Sequence, residues 1–268
     1  LLAAGAPPDG AAPAGEPAGQ PAERIRELMV AYEPVPLEAT SDKHDAALQR
    51  RRELLEQLRG GDRELGLAAL AAFRAQTDAA DDLREALLEI AATCNPGDMA
   101  PVLERMVVTY DAELGLGLRT RAAELLAQTS PQAALELIGP LLVAERPDMT
   151  LPPREKLVRA WAEAARRAAH DDLGVLVDVA IDIGQPPDAR GAAVDALGTF
   201  GGELPRKALE EVLFEGTSDA MLRRKAAQAL AAFLPASELC PLLERAGSHE
   251  HDEVFAQFLA SMMARHCP

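Results

Sequence analysis

The chain has 268 residues and a net charge of −16, with a pI near 4.8. That excess of carboxylates excludes a nucleic-acid backbone as the main partner, because phosphate is held by clustered Lys and Arg. Apolar residues make up 48% and aromatic residues only 3%. Such a supply of Ala, Leu and Val suits close helix–helix packing rather than β-structure, and no apolar run reaches the length of a membrane span.

The chain opens with Ala-, Pro- and Gly-rich sequence to about residue 22, which cannot bury a core. Residues 1–43 are therefore predicted to form a disordered tether with a short helix near 22–32. Leu1–Ala6 is similar to the end of a signal-peptide apolar region ahead of a small-residue cleavage site. On that reading the protein is periplasmic or secreted. The competing reading, a linker inside a longer chain, makes it cytoplasmic.

From residue 44 to 268 the apolar pattern is helical, and it repeats. Six gap-free fragments begin at Arg51, Arg84, Arg119, Arg154, Arg190 and Arg223, spaced 33, 35, 35, 36 and 33 residues apart. In every copy the residues at +3, +4 and +7 are apolar, as in Leu87, Leu88 and Ala91 or Ala226, Ala227 and Leu230. Each copy therefore carries one apolar stripe on a helix. Second helices are expected near 63–75, 98–110, 131–144, 171–183, 203–215 and 236–246. A two-helix unit of this size cannot bury its stripe alone, so neighbours must stack into one continuous core. The expected fold is all-α, an α-solenoid of about six repeats followed by an unpaired capping helix. Counting from Asp252, that last helix has Phe255, Ala256 and Leu259 at +3, +4 and +7. Ser248 is its expected N-cap, with His249 to Glu253 as an exposed first turn.

The segment from Asp188 to Gly198, an Arg followed by paired Ala and then Ala-Leu-Gly, resembles the helix motif of HEAT and HEAT-like repeats. The segment from Arg223 to Ala231 resembles it nearly as well. This resemblance implies a superhelix of antiparallel helix pairs whose second helices line the concave face, where partners bind. HEAT-like proteins include deoxyhypusine hydroxylase, whose di-iron site takes His-Glu pairs from several helix starts. Here His249-Glu250 is the only His-Glu pair, too few ligands for such a centre, and that enzyme is set aside. Phycobilin lyases also use HEAT-like repeats, and nothing in this chain points to them.

Other candidates for chemistry have plainer readings. His249 with Asp252 or Glu253 shares one helix face, but zinc needs three or four ligands, and His266 and Cys267 lie at the far end of that helix. His44 and His170 stand alone beside aspartates. Trp161 occupies a +7 core position, and Gly198, Gly201 and Gly202 read as a helix C-cap and turn. Cys94, Cys240 and Cys267 make neither a metal pair nor a disulfide framework. Buried thiols are expected, with one disulfide as the alternative in an exported protein.

Charge is sorted by helix. The Arg-bearing helices hold most of the basic residues, and the second helices from residue 98 onward are acidic. The expected site is an acidic groove of Glu104, Asp178, Asp182, Glu210, Glu211 and Glu244, receiving a basic segment of another protein. The expected function is a non-catalytic interaction scaffold with no catalytic residue, metal or cofactor. The alternative is an accessory subunit or lyase-type enzyme that uses the groove as a substrate cradle.

Overall fold

The computed structural model describes residues 20–36, 40–109, 114–144, 151–215, 219–248, 250 and 252–267. Most of the tether, Leu1–Ala6, His249 and His251 lie outside the described residues. Of those described, 81% are helical and none is in a strand, and the helices pack in neighbouring pairs as an α-solenoid. In chain order the pairs are α1 (Gln20–Ala31) with α2 (Ser41–Leu58), α3 (Arg63–Ala75) with α4 (Asp81–Cys94), and α5 (Pro96–Val108) with α6 (Leu116–Thr129). Next come α7 (Pro131–Val143) with α8 (Arg154–Arg167) and α9 (Gly174–Ile181) with α10 (Pro187–Phe200). The last pairs are α11 (Glu203–Phe214) with α12 (Ala220–Phe233) and α13 (Ala236–Ser248) with α14 (Glu253–His266). One apolar core runs through the stack from Ile25 and Leu28 in α1 to Met262 in α14, with Trp161 buried within it.

The pairs are phased one helix earlier than the sequence suggests. Each Arg-bearing helix packs on the helix before it more extensively than on the helix after it. The repeat arginine is the physical reason. Arg119 donates from Nε to the Met106 carbonyl (3.2 Å) and from Nη2 to that of Val107 (2.9 Å), the last turn of α5. Arg154 reaches the carbonyls of Leu141, Leu142 and Ala144 at the end of α7. Arg190 bonds Ala180 O at 2.9 Å, Arg223 bonds Leu213 O at 3.1 Å, and Arg51 bonds Ala31 O at 2.9 Å. The last carbonyls of a helix have no partner within it, and they carry the negative end of the helix dipole. A guanidinium set there satisfies them and fixes the next helix against the first. Three of these arginines also hold an acid from the next unit, in the pairs Arg51–Asp82, Arg190–Glu215 and Arg223–Glu250.

The small residues of the motif set the spacing between pairs. From α4 to α12 the even-numbered helices pack closely on one another, whereas α3, α5, α7, α9 and α11 touch their row neighbours less. A Cβ added at Gly198 in α10 would lie 2.7 Å from the Ala229 Cβ in α12, so only glycine allows that approach. In a curved stack the more closely packed row is the inner one. The Arg-bearing helices therefore form the inner row, and the second helices form the outer one.

The C-terminal pair departs from the sequence reading in four ways. Helix α14 is paired with α13 and does not stand alone. Its N-cap is Asp252, whose carboxylate accepts from the amides of Val254 and Phe255. Ser248 instead closes α13 and donates its hydroxyl to Arg245 O. Glu250 is not part of an exposed turn: its side chain is 5% exposed and paired with Arg223. Finally, Cys240 and Cys267 form a disulfide, so the expectation of three free thiols is corrected. The two lie 27 residues apart in sequence, but antiparallel pairing brings the start of α13 to the end of α14. Cys94 alone stays free and buried, its thiol pushed up by burial.

Candidate functional site

The six acids expected to form a site all lie in or beside outer-row helices. Glu104 is in α5, Asp178 in α9, Asp182 just beyond α9, Glu210 and Glu211 in α11, and Glu244 in α13. Local contacts occupy two of them. Asp182 accepts from the Gly184 amide (2.8 Å) and from Gln185 Nε2 (3.0 Å), which closes the turn after α9. Glu210 accepts from Arg206 at 2.7 Å and lies 3.8 Å from Arg245 of α13. Asp178, Glu211 and Glu244 remain exposed on three different helices. All six therefore belong to the less closely packed row.

The inner row carries a line of clefts. One, of about 320 Å³, is lined by Tyr32, Asp82, Glu85, Glu89, Arg121 and Glu124. A second, of about 380 Å³, shares Glu85, Arg121 and Glu124 and continues to Pro153 and Lys156 at the start of α8. A third, of about 450 Å³, crosses α8, α10 and α12 between Glu155, Arg159, Asp188, Asp219 and Lys225. Together they make a trough along the inner face in which polar and apolar side chains mix, Ile183, Met221 and Leu222 among the latter.

Helix periodicity places these side chains. The residue five positions after each repeat arginine is Glu56, Glu89, Glu124, Arg159, Asp195 or Gln228, polar in every copy. Positions +3, +4 and +7 point into the core, and +5 lies on the opposite face. Ion pairs connect these residues across the row. Glu89 is shared by Arg59, the C-cap of α2 (2.5 Å), and Arg121 of α6 (2.9 Å), and Arg121 also holds Glu124 at 2.9 Å. Lys225 of α12 pairs with Asp195 of α10. Sorting charge by helix type missed this line. Sorting it by repeat position finds it.

Three groups lining the first cleft have shifted ionisation. Burial pushes the Glu85 carboxyl above the usual range against the pull of Arg121, and Asp81 and Glu124 push the same way. Tyr32 is raised by burial and by Asp82. Burial pulls Arg121 down, but its hydrogen bonds to Glu124 and Glu89 outweigh that and raise it. A half-buried carboxyl with a raised pKa, beside a fixed cation and a phenol in a cleft, has the makings of a proton-exchanging group. Among the described residues no group of three or more His, Cys, Asp or Glu is placed to hold a metal ion.

No protein-family model matches the chain, and no curated protein matches it. Among solved structures it is similar to human deoxyhypusine hydroxylase in complex with glycerol. The identity is 18% and the TM-score 0.41, over 93% of this chain and 96% of that one. That protein is an enzyme, and the expectation of a non-catalytic scaffold is accordingly corrected. The lone His249-Glu250 pair bears on one di-iron ligand set and never excluded catalysis on this architecture. At this level the likeness is one of fold and assigns no reaction.

Proposed function

We propose that this is a HEAT-like solenoid that serves an enzymatic step as a substrate cradle, its inner trough holding a basic segment of another protein. The observation that carries the reading is the polar +5 line along the inner row. In the N-terminal half it is acidic in each copy, at Glu56, Glu89 and Glu124, and Glu85 adds a carboxyl beside it. A basic segment laid along this row meets Glu85 and competes with Arg59 and Arg121 for Glu56, Glu89 and Glu124, and complementary charge fixes its register. Glu85 is the group placed to exchange a proton with the bound segment. The Cys240–Cys267 disulfide supports placing this work in an oxidising compartment.

The test is fluorescence anisotropy with a labelled Lys/Arg-rich peptide at moderate salt. Glu85→Gln combined with Glu124→Gln is expected to weaken binding by about tenfold. Asp178→Asn combined with Glu211→Gln, on the outer row, is expected to leave it unchanged. If the outer-row variant loses the peptide and the inner-row variant keeps it, the cradle is on the wrong face and the reading fails.

A further inference from the structure

A different surface reverses the sign of the molecule. Between α3 and α5 on the outer row lies a cleft of about 330 Å³ lined by Arg74, Pro101, Val102, Arg105, Met106 and Leu114, with Thr109 at its edge. Its floor is apolar, and among the described residues no acidic side chain lines it. Arg74 and Arg105 stand in the last turns of α3 and α5, and both are exposed. Neither is held by a hydrogen bond or a carboxylate among the described residues, whereas Arg59, Arg63, Arg121, Arg190, Arg206 and Arg223 all have acidic partners. Next to the cleft, Val108 is 41% exposed.

We propose that this cleft docks an acidic segment of a partner protein through one bulky apolar anchor residue flanked by Asp or Glu. The volume suits one or two side chains, and the floor of Val102, Met106 and Leu114 removes an apolar anchor from water. The two guanidiniums then meet carboxylates on either side of that anchor, and charge-assisted forks of this kind give both strength and register. A chain of net charge −16 repels an acidic segment from most of its surface. Two uncommitted arginines around an apolar floor make this a place where such a segment settles. The cleft is separate from the inner trough, so the two sites take partners of opposite charge.

The experiment uses the full chain and three labelled peptides: Asp-Glu-Leu-Phe-Glu-Asp, the same peptide with Gly-Gly for Leu-Phe, and Lys-Lys-Leu-Phe-Lys-Lys. Anisotropy titrations are run with the wild type, with Arg74→Glu/Arg105→Glu, with the milder Arg74→Gln/Arg105→Gln, and with Lys43→Glu/Arg52→Glu as a matched charge change on α2. Circular dichroism checks that each variant is folded. The acidic, anchored peptide is expected to bind at least about tenfold tighter than either comparison peptide. That preference should fall by about tenfold or more in the glutamate variant and by less in the glutamine variant. It should survive in the α2 control. Equal binding of the acidic and basic peptides would overturn the proposal. So would an affinity unchanged by either arginine variant, which would leave Arg74 and Arg105 as mere complements to helix C-termini.

Discussion

Replacing Arg119 by methionine keeps an unbranched apolar stem and removes the donors. In the native protein Arg119 is 3% exposed and gives two hydrogen bonds to the last carbonyls of α5. A hydrogen bond to a charged group contributes roughly 1.5–3 kcal/mol. The two together therefore contribute about 3–6 kcal/mol before the desolvation of the guanidinium is set against them. Relief of that desolvation, with methionine filling much of the same space, brings the expected net loss to about 3 kcal/mol. At a few degrees per kcal/mol for a chain of this size, the melting temperature should fall by roughly 6–12 °C. Urea melts followed by circular dichroism measure the loss. Hydrogen exchange should place it in α5 and α6, because a repeat array opens by neighbouring units. Arg121→Met, in the half-buried ladder with Glu89 and Glu124, breaks ion pairs without touching a helix end; it is the control and should cost less, about 1–2 kcal/mol. Lysine at 119 should rescue little, since an ammonium lacks the planar fork that spans two carbonyls. If Arg119→Met costs no more than Arg121→Met, the carbonyl bonds are not the reason the arginine recurs.

Removing the disulfide with Cys240→Ser and Cys267→Ser opens a loop of 27 residues, for which the chain-entropy account gives about 3.5 kcal/mol. Urea melts of the wild type with and without reductant should reproduce the loss, and a reductant-insensitive wild type would refute the linkage. Gly198→Ala places a methyl against Ala229 and should cost about 1–3 kcal/mol by forcing α10 and α12 apart, measured by thermal melting. Glu85→Gln tests the raised carboxyl. The ionised form is disfavoured in the fold, so the protein's handicap is absent below the ordinary glutamate value of 4.5 and grows as pH rises through the higher folded value. The variant should therefore melt higher than the wild type at about pH 8 and equally with it at about pH 4; the opposite pH dependence would show a depressed pKa.

Much of the architecture was legible because the same physics repeats. The apolar residues at +3, +4 and +7 put every Arg-bearing helix in register, and the second helix expected at 63–75 is α3 itself, Arg63–Ala75. The phase of the pairs was not legible. Periodicity along a chain says that two helices alternate, and it does not say which of two neighbours a helix packs on. That choice is made by the arginine reaching back to carbonyls about a dozen residues earlier, as Arg119 does to Met106 and Val107. No one-dimensional pattern shows such a bond. The error at α14 had a similar origin. Aligning Asp252 with the arginines put the last helix 29 residues after Arg223 (252 − 223). Aligning it with Asp219, the N-cap of α12, gives 33 residues (252 − 219), within the range of the other spacings. The position of the repeat arginine then falls on Ala256. The disulfide was hidden for a related reason, since Cys240 and Cys267 meet only once α13 and α14 are known to be antiparallel partners.

The phase of the pairs also decides which side chains share the more closely packed row. A guanidinium reaching back ties α2, α6, α8, α10 and α12 to their predecessors, and the Ala and Gly residues of the motif draw its helices close to the equivalent helices on either side. Both features belong to one helix, so the helix that carries the motif is also the one that forms the inner row. Its +5 position must then face the trough, whatever residue stands there. Glu56, Glu89 and Glu124 are acidic in the N-terminal half, whereas Arg159, Asp195 and Gln228 vary in the C-terminal half. The scaffold repeats while the ligand-facing charge does not, which is what a cradle needs if it is to hold a segment in one direction only. The last pair shows the same logic at its limit. With Ala256 in place of the arginine, α14 lacks the attachment that Arg119 and Arg154 give to α6 and α8. Arg223 stacks 4.2 Å above the Phe255 ring, and the disulfide closes the far end of the pair. The cross-link therefore stands in the pair that lacks the repeat arginine.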